Sequence, residues 1–380
     1  MHERRPAVLL GLTGLRIDGG IASVSRCIAR ALDEEVDAGV LSRVDRVVLL
    51  DDPSRAASPP RRGVQWLSRG SQPRFVWQLW RAFARDRQAH VLFDLVGLAR
   101  AVFLPLPGFP PRDFAVFVHG IELTTAAHGV RARALRGARV LLANSPFTAA
   151  SLKQMFPEAA DRVRVVPLCI EPEKLACWEA SSLPAPRREN AALIVGRMWS
   201  EERGKGHDEL LSAWPSVRSR IPGAELWVVG GGDDRSRLEA KARVLSLTSS
   251  VRFLGRVSDG ELGELYRRAS LLAMPSRQEG FGLAYAEAMW HGLPCIGSTA
   301  DAAGTVIAHG ETGLLVRYGD VDAVGEAIVA LLGNPERAAK MGEEGRRRAL
   351  ARFSYDRFRR DLLAALEFDR SKPAARERPP

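Results

Sequence analysis

Apolar residues along the chain gather in short, mostly continuous runs rather than in alternating stretches. In the first half the runs are residues 6–12, 44–50, about 91–95, 114–118, 140–145 and 163–167. In the second half they are 192–197, 226–232, 251–255, 271–274, 295–297 and 312–316. Runs of this length without alternation predict strands covered on both faces, as in parallel sheets. Between them lie segments with helical spacing: one ending near Leu32, then about 75–88, 209–218, 283–291 and 355–368. Strands alternating with helices predict a parallel, doubly wound α/β sheet. Residues 53–73 read as a Pro/Arg-rich loop. Residues 171–190 lose periodicity, gather Pro, Ser and charge, and read as a linker. A chain of 380 residues exceeds one ordinary core. Two domains are therefore expected, 1–175 and 190–352, with the helix 355–368 free to return to the first. The last dozen residues are expected to be disordered.

Composition narrows the class. No apolar run approaches the ~20 residues of a membrane helix, and the charged start leads straight into a strand. Neither a signal peptide nor a spanning segment is expected. Cys27, Cys169, Cys177 and Cys295 lack metal-ligand spacing and read as reduced core residues of a cytosolic protein. The net charge of +10 lies almost wholly in residues 1–170, where 24 Lys and Arg face 15 Asp and Glu. Nucleic-acid binding would need clustered basic residues with stacking aromatics or a known motif, and none is visible. An anionic lipid surface or a pyrophosphate-bearing acceptor fits the charge better. The 75–88 helix bears on this, with Trp77, Trp80, Phe83 and Ala84 at helical spacing among Arg74, Arg81, Arg85 and Arg87. It reads either as a core-facing helix or as an interfacial one with Trp rings at headgroup depth.

Candidate chemistry centres on residues 274–289, Met-Pro-Ser-Arg-Gln-Glu-Gly-Phe-Gly-Leu-Ala-Tyr-Ala-Glu-Ala-Met. Gly280 and Gly282 keep Glu279 in a loop and start the helix near Leu283. Gly292 and Pro294 end it. Glu287 then falls in the second turn, with the free amides at Leu283 between the two carboxylates. Such a helix start binds phosphate without further help, and carboxylates on either side suit a nucleotide-sugar. Gly19-Gly20, between a strand and a helix, makes a second phosphate-facing loop, although no Gly-x-Gly-x-x-Gly is present. His119 ends a buried strand, where ligands of open α/β sheets gather.

The 274–289 stretch resembles the E-x7-E signature of retaining glycosyltransferases of family 4 (glycosyl transferases group 1). Gly19-Gly20, His119-Gly120, Asn144-Ser145, Gly196-Arg197, Lys205-Gly206, Gly230 to Gly232 and Glu279 to Glu287 follow that family's order over nearly the whole chain. The specific matches are in the second half; acceptor choice, encoded in the first, is less legible. The resemblance implies the GT-B fold, two Rossmann-like doubly wound domains facing across a cleft. It implies Arg197 and Lys205 on the donor phosphates, Glu279 and His119 at the transferred sugar, and Glu287 on the ribose. It further implies donor contacts from Gly19, Gly20, Gly196, Ser276, Gly280, Phe281, Gly282 and Leu283, with Arg256 and Val257 in the segment that touches the base.

The expected function is hexose transfer with retention, in cell-surface polysaccharide or glycolipid synthesis. The expected partners are a nucleotide-sugar donor and a glycan or polyprenyl- or lipid-linked acceptor, with no nucleic acid. No cofactor is expected and no metal, because no Asp-x-Asp sits at a strand end and Asp233-Asp234 read as solvent-facing. The expected location is cytoplasmic, with peripheral attachment to the anionic inner face of the cell membrane as an extension. A GT-B nucleotide-sugar epimerase would need acid and base carboxylates near the sugar C2, which are not found in matching order. A non-catalytic sugar-binding protein on this fold would usually have lost Arg197, Lys205 or Glu279.

Overall fold

The computed structural model describes residues 5–52, 54, 59–104, 113–125, 128–180 and 188–367. They form two compact units, one running to Glu171 and resuming at Tyr355, the other spanning Pro172–Ser354. No helix among the described residues is long and apolar enough to cross a membrane.

The first unit is built on seven parallel strands: β1 Ala7–Leu12, β2 Arg43–Val48, β3 Gln65–Leu67, β4 His90–Phe93, β5 Phe114–Val118, β6 Val140–Ala143 and β7 Val163–Val165. Their order is β3-β2-β1-β4-β5-β6-β7. Every residue of β1, β5 and β6 is buried, which is why those segments read as unbroken apolar runs. Each fully buried Leu or Val contributes about 1.5–3 kcal/mol. The second unit holds β8 Ala191–Val195, β9 Glu225–Val229, β10 Val251–Gly255, β11 Leu271–Ala273, β12 Cys295–Ser298 and β13 Gly313–Val316. Their order is β10-β9-β8-β11-β12-β13, again all parallel. Each sheet therefore reverses its winding beside its first strand, at β1/β4 and at β8/β11. Ligands of doubly wound sheets bind at the carboxyl ends of such strands.

Several features differ from the sequence expectation. The 53–73 loop contains β3, whose three half-buried residues are too few to show a period; Trp66 pairs with Val47. The following helix is Gln72–Arg85, three residues earlier than expected, because Ser71 caps the Arg74 amide and Pro73 sits in the first turn. Its buried stripe is Phe75, Gln78, Leu79, Ala82 and Phe83, while Trp77 is 51% exposed and Ala84 is also outside. The stripe runs from Phe75 in steps of three and four, so Trp77 lies off it. The 171–190 linker opens with a helix, Pro172–Ala180, on which Cys177 is exposed rather than in the core. Asp234 is buried rather than solvent-facing, held by Arg237 and Arg203.

The helix Tyr355–Ala365 completes the first unit. Phe358 and Leu362 are fully buried, Phe358 lies 6.5 Å from Phe117 between ring centres, and Arg359 pairs with Glu35 of the first helix, Gly20–Asp37. That first helix runs five residues past Leu32, burying Glu35 and Val36. The dozen residues expected to be disordered lie outside the described residues.

Candidate active site

The carboxyl ends of β8 and β11 bring Lys205 and Glu279 of the second unit together. Beyond β8 come Gly196 and Arg197; Arg197 is 53% exposed and pairs with Glu202 at 3.0 Å. A short 3-10 segment, Ser200–Lys205, then leads to Gly206 in the left-handed region at φ +94. A Cβ there would sit 2.9 Å from the backbone nitrogen of Pro275, so only glycine lets this turn lie against the exit of β11. The Arg277 amide donates to the Gly204 carbonyl at 2.9 Å, fastening the two loops. As a result Lys205 Nζ lies 2.5 Å from Glu279 Oε1, each side chain only 14% exposed. Two residues 74 positions apart thus form one charged pair at the switch point.

Glu279 precedes the helix Leu283–Trp290 as expected, and Gly282 caps it at φ +87 without any side-chain hydrogen bond. Its first-turn amides are therefore not taken by a capping side chain, and the positive end of the helix dipole is at the same place. Ser276 and Phe281 have buried side chains, Phe281 edge-on to Phe353 at 5.5 Å. What those two can offer a ligand is backbone. Arg256 is exposed and lies against Gly231, with Val257 half-buried beside it. The Gly230 amide donates to the Gly255 carbonyl at 2.8 Å, so the exits of β9 and β10 are joined.

Glu287 sits in the second turn and is buried. Lys174 Nζ lies 2.8 Å from its Oε1, and the Tyr266 hydroxyl donates to its Oε2 at 3.1 Å. Burial and the Glu287 charge push the Tyr266 hydroxyl well above its ordinary range, so it remains a donor. His207 opens the helix His207–Arg220 beneath Gly196, with its ring 3.6 Å from a Cβ placed there. Burial pushes it down to about 4, which keeps the imidazole neutral at pH 7. Its Nε2 has no hydrogen-bond partner among the described residues.

In the first unit, Gly19 and Gly20 sit at the start of the Gly20–Asp37 helix. The loop before them is held by Arg26, which donates to the Leu15 carbonyl at 3.0 Å and pairs with buried Glu171. Asp51 accepts from the Leu15 and Arg16 amides at 2.9 and 3.0 Å. His119 follows β5 and is buried, its Nε2 2.7 Å from the Asp94 carbonyl oxygen. The Asp94 carboxylate accepts from the Thr13 amide and hydroxyl and from Ser25 Oγ, and burial raises it above the usual range. His119 thus stands beside the β1/β4 switch point of its own unit.

Residues 189–334 match the family description Glycosyl transferases group 1. That group 1 region carries Arg197, Lys205, Glu279 and Glu287. The chain is 35% identical over 179 residues to the GDP-mannose-dependent alpha-(1-6)-phosphatidylinositol monomannoside mannosyltransferase of Mycobacterium tuberculosis, 45% of this chain and 46% of that one. It is 29% identical over 254 residues to the D-inositol 3-phosphate glycosyltransferase of Corynebacterium urealyticum, 64% of this chain and 59% of that one. The chain thus spans about half the length of the curated relatives it matches. Among solved structures, sucrose-phosphate synthase from Thermosynechococcus elongatus superposes with a TM-score of 0.77 at 23% identity, covering 96% of this chain and 98% of that one. Anabaena HepE in complex with UDP and glucose gives 0.72 at 18% identity, covering 95% and 99%. These likenesses establish the GT-B fold.

Within the group 1 region, the structure places Tyr266 and His207 beside residues expected at the site; Lys174 lies just before that region. Lys174 falls in the stretch read as a linker, and Tyr266 lies 21 positions from the carboxylate it meets. No local spacing could have joined either to Glu287.

Proposed function

We propose that the chain is a retaining, metal-independent glycosyltransferase that moves a hexose from a nucleotide-sugar to a lipid-linked acceptor. The observation that carries this reading is the Lys205–Glu279 pair at the β8/β11 switch point, beside an uncapped helix start. In the transfer, the bond between the anomeric carbon and the donor phosphate oxygen breaks, and the nucleoside diphosphate leaves with the electron pair. The acceptor hydroxyl oxygen bonds to the anomeric carbon on the same face, and its proton passes to the departing phosphate. Arg197, Lys205 and the amides near Leu283 stabilise the charge that develops on the leaving oxygens. Glu279 orients the sugar, and Glu287 receives the ribose hydroxyls. GDP-mannose and phosphatidylinositol monomannoside are the donor and acceptor in the name of the Mycobacterium tuberculosis relative, and we extend that class to this chain.

A thermal-shift series with guanosine, uridine, adenosine and thymidine diphosphates tests the donor site. The matching diphosphate at 100 times its dissociation constant should add about 2.7 kcal/mol. Glu287→Ala should weaken it roughly 10- to 100-fold, the scale of a hydrogen bond to a charged acceptor. If none of the four raises the midpoint, the donor reading fails.

Peripheral attachment to an anionic membrane, at the inner face of the cell membrane, belongs to the same proposal. The Gln72–Arg85 helix presents Trp77 to solvent with the Arg81 guanidinium 4.7 Å from its ring centre, and Arg74 and Arg85 are exposed beside it. The protein should float with phosphatidylglycerol-rich vesicles at low salt and be released at high salt. Trp77→Ala should reduce the bound fraction severalfold by removing the ring's interfacial burial. Absence of flotation at low salt would favour a soluble acceptor.

A further inference from the structure

A buried carboxylate adjoins Glu279, and neither the motif nor the relatives assign it a role. Asp301 lies three residues beyond β12, just before the short helix Ala303–Val306, and is 6% exposed. Its Oδ2 accepts from Ser276 Oγ at 2.5 Å and from the Glu279 amide at 3.0 Å. Its Oδ1 accepts from the Ala303 amide at 3.0 Å. In return the Ala302 amide donates to the Glu279 carbonyl at 3.0 Å. Both polar groups of the Glu279 residue's backbone are therefore held by residues 301 and 302.

All three donors to Asp301 are neutral, and among the described residues no lysine or arginine pairs with it. A buried carboxylate without a cation is expensive, and stability alone would be better served by a neutral group of similar size. The location explains its presence. Gly280 and Gly282 follow Glu279 closely, so the loop has little intrinsic stiffness, and Glu279 must be held from outside. We propose that Asp301 is a positioning residue for Glu279: with the Ala302 amide it clasps the Glu279 backbone and so aims that side chain at Lys205 and the transferred sugar. The proposal rests on the sugar-orienting role given to Glu279 above.

The clasp has a pH signature. The charged or titratable groups facing Asp301 are Glu279 on its loop, Lys205 paired to Glu279, and Tyr285 on the Leu283–Trp290 helix. Burial, helped by the Glu279 charge and opposed by the three hydrogen bonds, pushes Asp301 up to about 6. Protonation places a hydrogen where an acceptor is needed, so turnover should fall as pH drops through that value.

The test compares the wild-type chain, Asp301→Asn and Ser276→Ala for kcat, KM and nucleoside diphosphate affinity across about three pH units centred near 6.5. Asp301→Asn should lower kcat by about tenfold or more, since small misplacements of a sugar-contacting group are costly, with diphosphate affinity kept within about twofold. Its acid limb near pH 6 should vanish. Ser276→Ala removes a hydrogen bond that favours the ionised form, so its limb should move to higher pH. A folded Asp301→Asn protein with wild-type kcat and an unchanged limb overturns the proposal alone. If that variant does not fold, an unmoved limb in Ser276→Ala overturns it. Wild type that binds a diphosphate yet transfers no sugar from any donor overturns the transferase reading and the clasp with it.

Discussion

Glu279→Gln should lose most sugar transfer, at least about 10²-fold in kcat, while still binding nucleoside diphosphate. The substitution preserves volume and the backbone hydrogen bonds to Asp301 and Ala302. What it removes is the carboxylate charge facing Lys205. In the free protein this leaves an ammonium, 14% exposed, with only an amide oxygen as partner, and some stability should be lost. Bound diphosphate supplies the missing negative charge, so the melting-point deficit should shrink when nucleotide is added. Calorimetry in both states, alongside single-turnover transfer, separates the two roles. A deficit that persists at saturating nucleotide, with activity falling only in proportion to folded protein, would make Glu279 a structural residue.

Lys205→Ala should cut turnover by roughly 10²–10³-fold, the scale seen when one preorganised donor to a developing oxyanion is removed. Its ammonium reaches the site because Gly206 lets the preceding turn lie against Pro275. Lys205→Arg should restore little, since a guanidinium is wider and forks where the space fits a compact ammonium. With Arg197 and the uncapped Leu283 helix start sharing the charge, wild-type turnover should survive excess chelator and gain little from magnesium or manganese. A chelator-dead enzyme that tolerates Lys205→Ala would remove the metal-free mechanism and leave the GT-B fold untouched. A loss below about twofold would instead make Lys205 only a structural partner of Glu279.

The sheets were legible because burial on both faces leaves no polar residue to interrupt a strand, as β5 and β6 show. β3 was not, because three half-buried residues at a sheet edge carry no period. The Gln72–Arg85 helix was legible as a helix but not in phase. Trp77 and Trp80 dominate the eye, whereas Phe75, Leu79 and Phe83 face the core. Among candidate site residues, Glu279, Glu287, Arg197 and Lys205 were singled out through local spacing and family likeness. Lys174 and Asp301 were not, because each acts through a partner distant in the chain, 113 and 22 positions away. A lysine in a polar stretch and an aspartate among alanines carry no local mark of burial.

The discontinuity of the first unit has a consequence for synthesis. Its seven strands are complete once β7 has emerged from the ribosome, yet Phe117 and Glu35 still lack Phe358 and Arg359. The second unit is continuous in the chain and emerges before those partners do. The usual N-terminal-first order is therefore interrupted here, because the later-encoded unit has all of its residues before the earlier one does. The earlier one must wait, with apolar surface uncovered, for a helix made almost two hundred residues after its last strand. A nascent chain stalled before Tyr355 would be a chaperone client through its first half, although every strand of that half had already been made.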